Sequence, residues 1–486
     1  MPTQTILKGL KDNLYLDLIT GAFKKYPQEI YLVGGALRDL FLKRKKAYFD
    51  FDFAVSRGAI KISHRIACEL KSGFVVLDKE HGSTRIVYRN KNLSCNFDFT
   101  DFRGKDINED LLHRDFTVNS MAVDLRKIKQ AKDLNEILLD PYGARKDIKL
   151  KKIRMVSRYS IPEDPVRIMR AFSLSAQLGF KIGPNTFKEI KKYKSKISSC
   201  AFERITEELF KIMDSQNGFK ALREMDSLKI LDEILPEIKP MRGVNQGPYH
   251  HLDVYKHSLQ TTLEIENLFS QLSNKKEIQG YLNSFISGTR TRRALLKMAA
   301  FLHDIGKPRA RHLYKGKIQF HGHERVGRDM LKDIALRLRI SNDEKEALSR
   351  IIFWHLRPGY LADIEKLSTR AVFRFFRDAK DEAVAIVLLS IADQRSTRGP
   401  LTRGENRKHH EQVCLGLAKE YFRRKREKKL PKLINGHELM KVLKLESGPL
   451  IGKILLEIEE AQAAGEIKTK AQALGLARDM ARKEKK

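Results

Sequence analysis

Residues 49–55 read FDFDFAV, a run in which aspartate alternates with phenylalanine. In a β-strand, successive side chains point to opposite faces, so the phenylalanines would face one side and Asp50 and Asp52 the other. The phenylalanine face can anchor a core. Two carboxylates side by side repel each other, and they need water, a cation or a functional reason to remain there. The run therefore predicts a strand with one buried face and one acidic face.

The aspartate pair has two interpretations from this run alone. It is either the solvated face of an amphipathic edge strand, or a site for Mg²⁺, which binds through one or two carboxylates plus substrate phosphates. The run NFDFTDF (96–102) repeats the pattern and would bring Asp98, or alternatively Asp101, beside the pair. Three carboxylates can hold two divalent ions about 3.5–4 Å apart, which activates an attacking hydroxyl and stabilises a leaving pyrophosphate. The second acidic strand favours the metal site.

Two adjacent glycines separate a predicted strand (29–33) from a predicted helix (36–44) upstream of FDFDFAV. Glycine lets the backbone approach a phosphate closely, and a helix N-terminus favours an anion. Gly34 and Gly35 are therefore candidate phosphate-binding residues, and so is Arg38 in the first turns of the helix.

The composition points to a polyanionic partner. The chain has 486 residues, with 94 Lys and Arg against 61 Asp and Glu, giving a formal charge of +33. A folded chain this basic should attract nucleic acid.

Its four cysteines form no C-x-x-C pair, which argues against zinc ribbons and disulfides and fits a reducing cytosol. The N-terminus carries no signal-peptide core, and the longest apolar stretch (383–392) is too short for a membrane span and predicts a buried helix, so we expect a cytoplasmic protein without membrane contact.

The pattern along the chain changes near residue 147. Before it, short strand patterns at 74–78 and 85–89 alternate with helical ones such as 60–70. After it, strand signals vanish and long amphipathic helical patterns take over, such as 164–180 and 202–214. The sequence thus predicts a small α/β head on a long helical body.

Five motifs in order resemble one family. YLVGGALRDLFLKR (31–44) with FDFDFAV resembles the opening motif of the class II tRNA nucleotidyltransferases, which are the CCA-adding enzymes and the bacterial poly(A) polymerases similar to them. The motifs that follow are HRDFTVNSMAVDL (113–125), LLDPYGARKDIKLKKIRMV (138–156), EDPVRIMRAFSLSAQLGF (163–180) and FERITEELFKIM (202–213). The second departs from the family's R-R-D-x-T-x-N-A at His113 and Ser120, and Tyr142–Gly143 stands where the family usually has G-G. The resemblance covers residues 29–215, and more weakly 433–455.

The resemblance implies roles for these residues. Asp50 and Asp52 would hold Mg²⁺ in the head, and Asp98 would assist as ligand or base. The implied nucleotide-binding residues are Gly34, Gly35, Arg38, Arg114, Asp115, Asn119, Asp164, Arg167 and Arg170.

Asp164 and Arg167 are three residues apart and would share a face of one helix. A carboxylate accepts where a base donates and a guanidinium donates where a base accepts, so together they can read the edges of cytosine and adenine. In the family the matching pair does this, and Arg170, one turn on, would reach the triphosphate or the same base. The residues alone leave an alternative open, because Asp followed by Pro165 is also a good helix cap.

The helical body contains a second constellation of histidines and aspartates. Neutral imidazoles with carboxylates suit a divalent transition metal. The set resembles the HD phosphohydrolase superfamily, which implies one metal on His257, His303, Asp304 and Asp393, and a second on His323 and His355. Lys307, Arg309 and Arg311 either hold a phosphate or form a solvated loop, and the Gly/Pro context of His250 and His251 indicates a loop.

These resemblances imply an α+β fold class, with a small polymerase β-like palm head followed by an all-α neck and body that includes an HD-type helical domain. A Gly/Pro-rich break at 241–251 and a basic stretch at 402–432 help to delimit the segments. The predicted domains are the nucleotidyltransferase head (1–145), the helical neck for nucleotide selection and RNA binding (146–240), the HD phosphohydrolase-like domain (241–400) and a basic helical tail for tRNA binding (401–486).

The leading functional hypothesis is a template-independent enzyme that adds CMP and AMP, from CTP and ATP, to tRNA 3′ ends by a two-metal mechanism. An HD phosphohydrolase activity accompanies it in this hypothesis. The close alternatives are a poly(A) polymerase and an enzyme that adds only CC or only A. Two other classes are an HD phosphohydrolase with an RNA-binding head and a non-enzymatic RNA-binding protein, and the D-x-D run argues against both.

Overall fold

The computed structural model describes residues 3–44, 49–90, 93–288, 290–427 and 431–483. The chain folds into two compact units. The first comprises Met1–Ile212 with Lys220–Ile234, and the second comprises Met213–Phe219 with Leu235–Lys486. The four domain boundaries drawn from the sequence stay predictions.

The first unit begins with a mixed sheet and its helices and continues as a run of helices. The elements of its sheet region are α1 (Thr3–Lys11), α2 (Leu14–Phe23), β1 (Ile30–Val33), α3 (Gly35–Phe41), β2 (Phe49–Val55), α4 (Ala59–Glu69), β3 (Gly73–Asp78), β4 (Ser83–Asn90), β5 (Leu93–Asp101), α5 (Ile107–Leu112), β6 (Ala122–Asp124) and β7 (Leu138–Leu139). The elements that follow are α6 (Ala144–Lys149), β8 (Lys152–Ile153), α7 (Ser160–Glu163), α8 (Arg167–Leu178), β9 (Lys181–Ile182), α9 (Pro184–Tyr193), α10 (Phe202–Asp214), α11 (Gly218–Ser227) and α12 (Ile230–Ile234).

The sheet has seven strands in the order β3-β4-β5-β2-β1-β6-β7. Its two acidic strands, β2 and β5, are parallel neighbours, and the remaining pairs are antiparallel. Phe51 and Phe53 are buried, and their rings lie 6.1 and 5.0 Å from those of Phe97 and Phe99, respectively. The predicted apolar face of β2 is therefore confirmed at these two positions, while the side chain of Phe49 lies outside the described residues.

Two sequence predictions for the helical region differ from the structure. The helix predicted over 164–180 is present as α8 but begins only at Arg167, because Asp164 is extended (φ −146°, ψ 92°) between α7 and α8. A residue before proline is pushed out of the helical region by the proline ring, and Pro165 does so here. Strands also persist after residue 147, because β8 and β9 pair in parallel and two short hairpins occur in the second unit.

The second unit is predominantly helical. Its helices and strands are α13 (Val254–Gln271), α14 (Lys276–Asn283), β10 (Phe285–Ser287), β11 (Arg290–Thr291), α15 (Arg292–Leu302), α16 (Lys307–Ala310), β12 (His312–Tyr314), β13 (Lys317–Gln319), α17 (His323–Arg337), α18 (Asn342–Trp354), α19 (Arg357–Ala362), α20 (Thr369–Ala379), α21 (Ala383–Ser396), α22 (Gly404–Arg426), α23 (Gly436–Leu443), α24 (Pro449–Ala463) and α25 (Lys470–Lys483). The last three helices share an apolar cluster of their own.

Helix α21 carries the longest apolar stretch of the sequence. Its first ten residues are buried, as predicted for a core helix. None of the described helices combines the length and the apolar character that crossing a membrane requires. All four cysteines have free thiols, which agrees with the predicted absence of disulfides.

Candidate active site

The three predicted carboxylates of the head lie on two adjacent strands. In the parallel register, Asp52 on β2 is paired with Asp98 on β5, and Asp50 is paired with Asn96. Oδ1 of Asp50 accepts a hydrogen bond of 2.9 Å from the side-chain amide of Asn96. Asp52 accepts no hydrogen bond from the described residues. The pairing leaves Asp50, Asp52 and Asp98 on the same face of the sheet, as the period-two pattern predicts.

Asp52 is the electrostatic centre of this cluster. Burial, with the carboxylates of Asp98 and Asp50, raises the pKa of Asp52 to about 6 against the opposing effect of Arg114 and Arg170. A carboxylate in this state gains from a cation placed beside it, because the cation relieves both the desolvation and the repulsion. The residues therefore fit a divalent cation with oxygen ligands.

Gly34 lies against Asp52 at the end of β1. Its backbone has φ +75° and ψ −144°, and it precedes the first turn of α3. A methyl group on Gly34 would lie 2.8 Å from Oδ2 of Asp52 and 3.6 Å from Nη1 of Arg114. Glycine is needed here both for the backbone conformation and for the space beside the carboxylate.

The choice between Asp98 and Asp101 as third carboxylate follows from their contacts. Asp101 lies at the end of β5, where its Oδ1 accepts a 2.7 Å hydrogen bond from the backbone N–H of Ala59, the first residue of α4. It therefore holds a helix N-terminus. Asp98 instead faces the cluster, and both of its oxygens are bound by Arg85 of β4, a residue that the sequence did not single out.

Four of the predicted nucleotide-binding residues form one partly buried chain of contacts. Arg38 donates a 2.6 Å hydrogen bond to Oδ1 of Asn119, whose amide donates to Asp115. Arg170 contacts Asp115 on one side, at 3.3 Å, and Glu208 of α10 on the other, at 3.4 Å. Burial would raise the pKa of Asp115, but Arg170 and the hydrogen bonds outweigh it and lower it. In the free chain these residues therefore bind each other.

Gly35 and Arg114 complete the predicted set around α3. Arg38 folds over Gly35, because a methyl group there would lie 3.2 Å from Nη2 of Arg38. Arg114 donates from Nε and Nη2 to Oδ2 of Asp110, at 3.2 and 3.0 Å. Nη1 of Arg114 still faces Gly34 and the acidic cluster. Arg114 and Asp52 therefore both lie beside Gly34.

Asp164 and Arg167 lie close together, but they do not share a helix as predicted. Arg167 is the first residue of α8, and its Nε is 3.9 Å from Oδ2 of Asp164, which precedes the helix. Arg167 is almost fully buried and donates to the carbonyls of Ser160 and His113, at 3.0 and 2.8 Å. Burial lowers the pKa of Arg167, although nearby carboxylates act to raise it. Its guanidinium is therefore fixed in orientation.

Arg204 is a further residue that the sequence did not assign to this site. It is on α10 and binds both oxygens of Asp164, at 3.1 and 2.6 Å. Asp164, Arg167 and Arg204 line a cavity of about 860 Å³, together with Arg103 and the β3–β4 turn that includes His81. The only signal for Arg204 was its place in the FERITEELFKIM motif.

The structure brings the histidines and aspartates of the second unit close together. His257 on α13 lies 2.9 Å from Oδ1 of Asp393 on α21. His303 is 3.2 Å from Oδ2 of Asp304 and 3.7 Å from Oδ1 of Asp393. On the other oxygen of Asp304, the Nε2 atoms of His323 and His355 lie 3.3 and 3.9 Å away. All six residues thus surround one centre.

Three of these imidazoles have a fixed orientation. The Nδ1 atoms of His303, His323 and His355 lie 2.9, 2.8 and 2.7 Å from the carbonyls of Ala300, Phe320 and Ile352. An N–H at Nδ1 leaves a lone pair on Nε2, and each Nε2 is buried with no hydrogen-bond partner, as is Oδ1 of Asp304. Nitrogen and carboxylate donors that converge in this way fit a divalent metal.

A lysine contacts the carboxylate of Asp304 at this centre. Burial would raise the pKa of Asp304, but His303 and Lys307 lower it well below its usual range. Lys307, which the sequence left as a phosphate ligand or a solvated residue, is buried and bridges Asp304 and Gln246, at 2.6 and 2.8 Å. The loop prediction for His250 was incomplete, because its ring lies 4.8 Å from that of His257, and burial lowers its pKa to about 4.

Comparison with known families accounts for most of the chain. Four family models match it in succession: the poly(A) polymerase head domain (30–154), the probable RNA- and SrmB-binding site of polymerase A (179–242), the HD domain (254–398) and the tRNA nucleotidyltransferase domain 2 (423–476). Together these four matches support a class II tRNA nucleotidyltransferase with an HD domain. The α+β fold class and the HD domain predicted for this nucleotidyltransferase are confirmed.

Curated relatives align with this chain over two thirds or more of its length. The A-adding tRNA nucleotidyltransferase of Deinococcus radiodurans is 28% identical over 92% of this chain and 94% of its own. The CC-adding tRNA nucleotidyltransferase of Thermus thermophilus is 27% identical over 92% of each chain. The multifunctional CCA protein of Legionella pneumophila is 28% identical over 69% of this chain and 76% of its own.

Solved structures of CCA-adding enzymes share the fold. The Thermotoga maritima CCA-adding enzyme in complex with tRNA is 20% identical, with a TM-score of 0.61 over 99% of this chain and 98% of that one. A complex of a CCA-adding enzyme with ATP gives a TM-score of 0.63 at 19% identity, over 98% and 97% of the two chains. At these identities the likeness establishes the fold of this nucleotidyltransferase.

Proposed function

We propose that this chain adds CMP and AMP from CTP and ATP to the 3′ ends of tRNA without a template. The observation that carries the proposal is the parallel register that sets Asp52 beside Asp98, next to the space kept open by Gly34. Its relatives support the choice of substrate, because those that align over more than nine-tenths of this chain are named as tRNA nucleotidyltransferases.

In this proposal Asp50 and Asp52 are the ligands of Mg²⁺, and Asp98 is a third carboxylate of the same site. Bound divalent ions there would assist attack of the terminal ribose hydroxyl on the α-phosphate and stabilise the departing pyrophosphate. Gly34 leaves room for the reacting groups beside Asp52. The positive charges of Arg114 and Arg170, which already act on Asp52, also favour a triphosphate close to it.

Nucleotide selection is proposed for the 860 Å³ cavity. The fixed guanidinium of Arg167 offers a rigid donor, and Asp164 offers an acceptor to the edge of the incoming base. Arg204 competes for Asp164 in the free chain, so base recognition includes the exchange of Arg204 for the base. The hydrogen bonds that link Arg38, Asn119 and Asp115 would hold these side chains in place, as would the contact between Arg170 and Glu208.

Binding of the tRNA itself is proposed for the basic helical segments. The chain carries 94 Lys and Arg residues, and phosphate contacts of this kind give salt-sensitive binding that depends mainly on the shape of the RNA. The segments involved are the neck, proposed as 146–240, and the tail, proposed as 401–486. Because tRNA is processed in the cytoplasm, we place the protein there.

A partial activity is the second candidate. The relatives that align over more than nine-tenths of this chain are named as A-adding or CC-adding enzymes. The same carboxylates and cavity would serve either partial reaction. Poly(A) addition is a further alternative with the same chemistry, and the match to a tRNA nucleotidyltransferase domain at 423–476 argues against it.

One assay separates these activities. Purified protein is incubated with labelled tRNAs that lack CCA, CA or A, with CTP, with ATP and with both. A complete enzyme extends all three tRNAs to the mature end, a CC-adding enzyme stops before the last nucleotide, an A-adding enzyme extends only the third, and a poly(A) polymerase continues past it. Asp52→Ala should abolish incorporation in every case, and survival of incorporation in that variant would refute the assignment.

A metal-dependent phosphohydrolase activity is proposed for the second unit. His257, His303, Asp304 and Asp393 are the ligands of a divalent transition metal, with His323 and His355 available to a second. A metal there would activate water for attack on a phosphate ester. The proposed substrates are cyclic phosphates and phosphomonoesters.

Metal content and phosphate release test this second activity. The protein is loaded with Mn²⁺, Co²⁺, Ni²⁺ or Zn²⁺, its metal content is measured by mass spectrometry, and phosphate release from a 2′,3′-cyclic nucleotide and a phosphomonoester is followed. Asp304→Ala should lose metal and phosphate release while it keeps tRNA extension. A wild-type protein that binds metal at this site but hydrolyses neither ester would contradict the proposed activity.

A further inference from the structure

Arg85 binds Asp98, the third carboxylate of the head site. Residues 85 and 98 are directly paired in the antiparallel register of β4 and β5. Nε of Arg85 lies 2.8 Å from Oδ1 of Asp98, and Nη2 lies 2.7 Å from Oδ2. This is the two-point geometry in which a guanidinium binds a carboxylate most strongly. Both oxygens of Asp98 are therefore engaged before any cation or substrate arrives.

The other two carboxylates of the cluster have no such partner among the described residues. Asp50 contacts only the neutral amide of Asn96, and Asp52 accepts no hydrogen bond within the described part of the chain. A cation that enters the cluster can therefore bind Asp50 and Asp52, while Asp98 is already bound to the guanidinium of Arg85. Arg85 and a divalent cation compete for the same oxygens.

The contact between Arg85 and Asp98 is open to exchange. The side chain of Arg85 is 38% exposed, and that of Asp98 is 17% exposed. Arginine binds phosphate with the same fork that it offers a carboxylate. A nucleoside triphosphate bound near this cluster presents several such anionic groups. The guanidinium thus has a second anionic partner available as soon as the nucleotide binds.

We propose that Arg85 is a positioning residue that withholds Asp98 from the divalent cation until a nucleoside triphosphate binds and takes over the guanidinium. The proposal deepens the nucleotidyl transfer proposed above and rests on it for the identity of the triphosphate. Its consequence is that the complete set of three carboxylates forms only with nucleotide present. Cation binding in the free chain is weaker than the cluster allows.

Mn²⁺ binding, measured by electron paramagnetic resonance without nucleotide, tests the first half of the proposal. Arg85→Met should bind Mn²⁺ about tenfold more tightly than wild type, because Asp98 becomes a ligand. In the double variant Arg85→Met/Asp98→Asn the gain should disappear. Arg89→Met is the matched control, because Arg89 is an exposed arginine four residues further along β4, on the same side of the strand, and its affinity should stay within twofold of wild type.

Binding of a non-reactive α,β-methylene analogue of CTP tests the second half. Arg85→Met should bind the analogue about fivefold more weakly, and Arg85→Lys should recover part of the loss because it keeps the charge without the fork. If the pair is only structural, Arg85→Met lowers the melting temperature and leaves Mn²⁺ affinity unchanged or weaker, and the proposal is overturned. Because neither measurement uses tRNA, a failure of tRNA extension in wild type would affect the proposed function separately.

Discussion

Replacing Gly34 by alanine is the most direct way to disturb the acidic cluster without removing a charge. The residue has φ +75° and ψ −144°, a region that is used almost only by glycine. Forcing an L-residue into such a conformation costs about 1–3 kcal/mol. The added methyl group would also lie 2.8 Å from Oδ2 of Asp52, well inside van der Waals contact. The substitution therefore strains the backbone and displaces a carboxylate.

The displacement sets the expected loss of activity. Asp52 has to move by about half an ångström to accept the methyl group, and a catalytic group needs to be held within about 0.5 Å of its productive position. We expect the rate of nucleotide addition at saturating CTP to fall roughly 10- to 100-fold, equivalent to about 1.4–2.7 kcal/mol in the barrier. Affinity for Mn²⁺ should fall with it, because Asp52 is one of the proposed ligands.

Gly58→Ala is the matched control for Gly34→Ala. Gly58 also precedes a helix and has φ +79°, but in the left-handed helical region (ψ 25°), and the nearest atom to an added methyl group is 4.0 Å away on Ile62. It should cost about 1 kcal/mol of stability and leave the rate within twofold of wild type. Single-turnover extension of a labelled tRNA, Mn²⁺ binding and thermal melting compare the two variants. If Gly34→Ala is as active as Gly58→Ala, the space beside Asp52 has no role in catalysis.

Three further predictions concern the pH dependence of the head, the selection of the base and the metal site of the second unit. Burial and the nearby carboxylates of Asp98 and Asp50 raise the pKa of Asp52 to about 6, so its charge is lost as the pH falls. Mn²⁺ affinity should decline about tenfold per pH unit below pH 6, and an affinity that stays constant down to pH 5 would contradict this. Arg204→Lys loses the two-point contact with Asp164, and we expect the ratio of KM values for CTP and ATP to change about three- to tenfold at similar kcat; an unchanged ratio would exclude Arg204 from base selection. Lys307→Met removes the cation bound to Asp304 at 2.6 Å, so divalent metal content after dialysis should stay equal or rise, and loss of the metal would show that Lys307 supports the site.

The sequence predicted those parts of the site that depend on local periodicity. FDFDFAV and NFDFTDF each carry a period-two pattern that is readable within one strand, and the faces on which their aspartates lie were predicted correctly. The glycines at the end of β1 were also candidates, although a glycine pair between a strand and a helix is by itself more often only a turn. These signals need no knowledge of the rest of the fold.

The parts that were missed depend on contacts between distant segments. Arg85 meets Asp98 only because β4 and β5 pair in one register, and Arg204 meets Asp164 across 40 residues of chain. The shared helix expected for Asp164 and Arg167 failed at Pro165, whose effect on the preceding residue outweighed the helical periodicity. Lys307 is buried and bound to Asp304, and the sequence around Lys307 does not reveal this partner.

The apolar face of β2 determines the geometry of its acidic face. Phe53 stacks on Phe99, with ring centroids 5.0 Å apart, and this contact belongs to the same register that pairs Asp52 with Asp98. A slip of one residue between β2 and β5 would turn the aspartates of one strand to the face occupied by phenylalanines of the other. Such a slip would bury a carboxylate and expose an aromatic ring, so the core excludes it. The alternation of Phe and Asp thus does two things at once, because the rings fix the register and the register brings the carboxylates together.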